Sequence, residues 1–176
     1  MTALAADGLI EDVGVWPTLA SLASCLCTQI SLAGLPKTCF CGVLPGEAAV
    51  TDYVSDEEGM AWVRLVQAYP SKAFPNQATD LGCGYDLAYE LEVGVAYCAP
   101  TFADSRGNPP SVATMLDSTR LQLAGMAAAY RAISCCPVLD SRDVMVGTYT
   151  PMGPEGAVVG GVWQAWVAEG AVRRRG

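Results

Sequence analysis

The chain has 176 residues, 52% of them apolar and 16% charged, with a formal net charge of −8 and no histidine. That length suits one domain with its own core and is too short for two, and the negative balance argues against a protein that holds nucleic acid by neutralising phosphates. Without imidazole, the sequence lacks the commonest general base, the usual partner of a nucleophilic serine and the most frequent metal ligand.

Residues 1–176 read as a single domain, with 1–15 as an N-terminal extension in which Gly8 and Gly14 weaken any helix. Asp7 and Glu11, with no basic stretch, do not read as a secretory signal. Pro17 fits the first turn of a helix, after which Leu19, Leu22, Ala23, Leu26 and Ile30 recur at helical spacing until Gly34 and Pro36 stop it. Ser21, Ser24, Thr28, Gln29 and Ser31 interrupt this segment and leave it short of a membrane span, so a soluble protein is expected.

Residues 37–43 predict a first strand, with Cys39 and Cys41 on one face and Phe40 on the other. A long acidic loop, 45–59, carries Glu47, Asp52, Asp56, Glu57 and Glu58. Trp62, Val63, Leu65 and Val66 make a second strand over 60–69, ended by Pro70, and Pro70, Pro75, Gly82 and Gly84 mark 70–84 as a second long loop.

The stretch 86–98 alternates throughout. Leu87, Tyr89, Leu91, Val93, Val95 and Tyr97 fall on one face, and Asp86, Ala88, Glu90, Glu92, Gly94, Ala96 and Cys98 on the other. The first set predicts a core wall, the second an acidic, small-residue wall facing water or a partner. At 3.3 Å per residue this strand spans roughly 40 Å, longer than usual.

Ser111 is placed to cap a second helix in which Val112, Leu116, Thr119, Leu123, Met126, Tyr130 and Ile133 share a stripe, with Asp117, Arg120 and Arg131 opposite and Pro137 closing it. Residues 144–149 and 162–167 predict a closing hairpin whose tip contains Pro151, Met152, Gly153, Pro154, Glu155 and Gly156. Trp163 and Trp166 fall on opposite faces of its last strand, and Arg173, Arg174 and Arg175 lie in a basic tail, 168–176. The order α-β-β-β-α-β-β predicts an α+β fold, a mostly antiparallel sheet covered on one face by two helices.

Little in this pattern points to chemistry. Glu90 and Glu92 share a strand face, where a solvated or inter-subunit role suits them better than an acid–base pair across a cleft. Gly153, Gly156, Gly160 and Gly161 follow no phosphate-loop spacing. Eight cysteines, Cys25, Cys27, Cys39, Cys41, Cys83, Cys98, Cys135 and Cys136, lack the paired C-x-x-C of a zinc site and read first as buried thiols. Should they pair, Cys83 and Cys98 are a full strand apart, which leaves Cys25 or Cys27 against Cys135 or Cys136, and Cys39 or Cys41 against Cys83 or Cys98. No catalytic residue, metal or cofactor is expected.

The order of elements in a histidine-free acidic chain of this size resembles the tail terminator proteins of long non-contractile-tailed bacteriophages, over nearly the whole length. The segments Gly59-Met-Ala-Trp-Val-Arg-Leu-Val, Ala88-Tyr-Glu-Leu-Glu-Val-Gly-Val and Gly153-Pro-Glu-Gly with Gly161-Val-Trp resemble neck proteins of actinobacterial phages. The resemblance implies a virion protein made in the bacterial cytoplasm: a homohexameric ring that caps the tail tube and joins it to the head completion protein, with DNA passing through without specific binding. On this reading the inter-subunit or lumen contacts are Asp52, Asp56, Glu57, Glu58, Glu90, Glu92 and the hairpin tip. The loops 45–59 and 70–84 and the cysteine count depart from the family's usual pattern. A head completion or stopper protein of the same neck is the alternative, and a cysteine-rich cytosolic enzyme or small-molecule binding domain is the alternative of a different class.

Overall fold

A computed structural model describes residues 14–46, 58–80, 85–99, 108–153 and 158–169. Helix α1, Val15–Leu32, holds Pro17 in its first turn, where the missing N–H has no intrahelical acceptor. Its buried side, Val15, Thr18, Leu19, Leu22, Ala23, Leu26 and Ile30, contains the whole apolar stripe read from the sequence. The helix ends where Gly34 takes φ +64°, which lets the Leu35 N–H reach the Ile30 carbonyl at 3.3 Å and the Gly34 N–H that of Ser31 at 3.1 Å. Although α1 is long and apolar enough for a membrane span, this stripe is packed into the protein's core.

Strands β1, Thr38–Val43, β2, Gly59–Ala73, β3, Asn76–Gln77, β4, Asp86–Cys98, β5, Val144–Met152, and β6, Val158–Glu169, form one sheet in the order β1-β2-β4-β6-β5, with β3 on the side of β2. Among the described residues, only the β1–β2 pair is parallel. Helix α2, Val112–Cys135, packs beside α1 on the same face of the sheet, capped by Ser111, whose Oγ accepts the Thr114 N–H at 3.1 Å. The architecture is therefore the expected α+β arrangement, with β3 as a two-residue addition.

Three local expectations are corrected. Strand β2 does not stop at Pro70 but runs on to Ala73, and β3 follows, so most of the described part of 70–84 is hairpin rather than loop. Beyond Val63, where its pairing with β1 ends, β2 is flanked on that side by no main strand among the described residues, and an edge position tolerates a proline without an N–H. A register shift between Leu65 and Gln67 also turns Gln67 to the same face as Arg64.

The second correction concerns the face of α2. The residues it buries are Gly125, Ala128, Ala129, Ala132 and Ile133, while Val112, Leu116, Leu123 and Tyr130 of the predicted stripe are 78, 53, 51 and 46% exposed. Small residues win because the helix lies close to the sheet: a Cβ on Gly125 would sit 3.3 Å from Cγ1 of Val95. Gly125 lies over Val95 and Tyr97, near the end of β4, so the helix N-terminal to it, about 20 Å long at 1.5 Å per residue, continues towards and beyond that end. Every residue from 112 to 117 is exposed.

The third is the second face of β4. Of the core-facing set, Tyr89, Leu91, Val93, Val95 and Tyr97 are buried in the main core, while Leu87 at the start of the strand is exposed. The opposite set is not a wall open to water: Ala88, Glu90 and Ala96 are buried too, and Gly94 lies under the ring of Trp62.

Candidate functional site

Across the sheet, Met60, Ala96, Gly160 and Met152 stand in one row on β2, β4, β6 and β5. One residue or two beyond this row come Glu58, Cys98, Val158 and Gly153, at the same end towards which the exposed start of α2 points. Of the predicted contact residues, Glu58, Pro151, Met152 and Gly153 are thus brought to one end of the molecule. Asp52, Asp56, Glu57, Pro154, Glu155 and Gly156 lie outside the described residues. Lys37 meets Glu58 at 3.1 Å, with the lysine 83% exposed, a pairing worth little in free energy.

Around that row, on the face without helices, Met60, Trp62, Ala96, Val158 and Leu44 form a small second core with Phe40, Met152 and Val162 packed on it. Next to it lies a polar cluster. Glu92 accepts Nε of Arg64 at 2.8 Å on one oxygen and NH2 at 2.7 Å on the other, and also the Trp62 indole N–H at 2.9 Å. Glu90, 7% exposed, accepts the Gln67 amide at 2.8 Å, an encounter that the β2 register shift makes possible.

Burial alone would raise the Glu92 carboxyl, but the hydrogen bonds from Arg64 and Trp62 and the guanidinium charge outweigh it and hold the group below its ordinary value of 4.5. The same hydrogen bond raises Arg64 above its ordinary value, against the pull of burial. A carboxylate kept ionised in this way is a fixed anion, not a proton donor near neutrality. Glu90 and Glu92, expected on a surface facing water or a neighbour, are instead consumed by contacts within the chain.

Among the described residues, the cysteines form two bridges. Cys25 joins Cys136 and Cys27 joins Cys41, with Cα separations of 5.8 and 5.9 Å. The first falls within the pairings that side-by-side helices allow. The second was not anticipated, because Cys27 lies on the side of α1 that meets β1, a placement that only the packed structure reveals. The reading of these four as buried thiols is corrected. Cys39 donates its thiol to the Gly59 carbonyl at 3.2 Å, Cys98 is half-buried, Cys135 is an exposed thiol, and Cys83 lies outside the described residues.

A cleft of about 230 Å³ opens beside the first bridge, lined by Ser24, Cys25, Thr28, Gln29, Arg131 and Cys135 among others. No pattern in the sequence signals it, since its walls come from α1 and the far end of α2. Trp163 and Trp166 do lie on opposite faces: the Trp163 indole donates to the Met126 carbonyl at 3.0 Å and its ring lies 5.3 Å from Tyr130 and 5.5 Å from Tyr149. Among the described residues, no three potential metal ligands gather.

No protein-family model matches the chain, and no curated protein matches it either.

Proposed function

We propose that this chain is a structural subunit of a phage neck, of the tail-terminator type, which assembles as a ring at the end of a tail tube and joins it to the head. The observation that carries the reading is the gathering, at one end of the sheet, of Glu58, the root of the β5–β6 hairpin at Met152 and Gly153, and the exposed start of α2. A subunit that seats on a tube needs one end built from segments free to meet a neighbour, and a rigid body behind them.

The body supplies the rigidity. A six-stranded sheet, two helices on one face and two disulfides fix the position of that end. Five large apolar residues exposed on α2, Val112, Met115, Leu116, Leu123 and Tyr130, are what a subunit completed by its neighbours would leave uncovered. A net charge of −8 suits a channel along which DNA slides, because like charges prevent arrest on the wall.

The test is to purify the chain with and without tail tubes from the same phage, and to image the tube ends. The reading requires a closed ring on the tubes, and antibody against the chain at the neck of intact particles. A chain absent from virions, or one that leaves tube ends bare at saturating concentration, sinks it.

A further inference from the structure

The exposed stripe of α2 has a spacing that the packing of this chain does not use. Val112, Leu116, Thr119 and Leu123 follow one another at intervals of four, three and four residues, the alternation that lets two helices interlock side chains along a seam. The series continues to Met126 and Tyr130, but there it meets the chain's own Trp163. The free seam therefore ends at Leu123.

We propose that this first half of α2 pairs antiparallel with the same segment of a second copy of the chain. Charge selects both the occupant and the register. With Leu116 facing Thr119 and Val112 facing Leu123 of the second copy, Arg120 lies beside the second copy's Ala113 and within reach of its Asp117. The twofold axis makes that contact twice. Sliding the pair by seven residues keeps the layers apolar but sets Arg120 against Arg120, which opposes it.

Asp117 and Arg120 already pair within the helix at 3.1 Å, with side chains 74 and 78% exposed, so exchanging partners between copies involves little loss of hydration. The segment is also locally neutral, one acid and one base over 112–123, in a molecule of charge −8 whose copies otherwise repel. Its exposed position lets a second helix approach without displacing anything in the core. The pairing is isologous, whereas a ring is built from heterologous contacts, so it does not rest on the ring reading and describes the subunit before assembly.

Sedimentation of the full chain over about 1–300 µM tests it, a range suited to an interface at the small end of the known sizes. The expected result is a reversible species of twice 18.4 kDa. Leu116→Asp together with Leu123→Asp should weaken association by at least about 30-fold, as expected for charges placed in an apolar seam. Asp117→Arg or Arg120→Asp alone should weaken it about 2- to 5-fold, and the two together should restore it. These positions are exposed, so the variants retain the fold. A chain monomeric throughout the range, or a dimer that the leucine substitutions leave intact, overturns the pairing. A parent chain that stays monomeric yet still forms rings on tail tubes overturns the pairing while leaving the ring reading in place.

Discussion

Arg64 and Glu92 face each other directly across the β2–β4 ladder and are joined by two hydrogen bonds of 2.8 and 2.7 Å, with both side chains nearly nine-tenths buried. Removing one partner strands the other's charge in the sheet. Arg64→Ala or Glu92→Ala is expected to lower stability by about 3 kcal/mol in urea unfolding. Because the fold holds Glu92 below 4.5, its contribution is complete above that pH and is lost as the pH falls through the lower folded value. The Glu92→Gln variant should therefore lose less stability than the parent on acidification from about pH 5 to pH 2. Equal acid sensitivity in the two proteins would refute this account.

Gly94 is required by Trp62. A Cβ on Gly94 would run into the indole, which is fully buried and has no room to move away. Gly94→Ala should lower stability by about 2–3 kcal/mol through overpacking. A second change, Trp62→Leu, should make the Gly94→Ala penalty smaller than it is in the parent chain, a non-additivity that a double-mutant cycle in urea measures directly.

Tyr97 carries a hydroxyl with no hydrogen-bond partner among the described residues although the residue is only 3% exposed, and burial pushes its ionisation up to about 12. Tyr97→Phe removes a desolvated polar atom and keeps the ring. The variant should be more stable than the parent by about 1 kcal/mol, read as an upward shift of the thermal midpoint. A loss of stability would show that the hydroxyl has a partner in solution.

The two bridges should differ in weight. Cys25–Cys136 spans 111 residues and Cys27–Cys41 spans 14. On the chain-entropy argument the longer loop contributes about 4–5 kcal/mol and the shorter about 3. Replacing Cys25 and Cys136 by alanine should therefore lower the thermal midpoint more than replacing Cys27 and Cys41. The reverse order would mean that strain or residual structure in the unfolded chain outweighs loop length.

Much of this fold is visible in local patterns. The α1 stripe, its Gly34 stop, the Ser111 cap and the long alternation of β4 each follow from a period or a terminal residue. What failed depended on partners distant in sequence. The small side of α2 is the buried one because Val95 and Tyr97 come close enough to exclude anything larger, and no period along the helix reveals that. Glu90 and Glu92 looked like surface residues because the residues that neutralise and cover them, Arg64, Gln67 and Trp62, lie on the neighbouring strand. The register shift at Val66 that aligns Gln67 with Glu90 has no glycine to announce it. For the candidate site, the placement of Glu58 and the hairpin root at one end of the sheet depends on strand pairing that no local pattern reveals, and the stripe read on α2 gave no sign that its first half lies exposed.

The nesting of the two sulfur bridges divides the chain unevenly. Backbone between residues 25 and 136 belongs to a covalent circle, so one protease cut within 42–135 yields two pieces that separate only under reducing conditions. The closing hairpin lies outside the circle, yet β6 sits between β4 and β5 inside the sheet. A cut just after Leu139 would therefore leave an interior strand tethered by hydrogen bonds and packing alone, and that fragment is the one to follow when asking how the sheet comes apart.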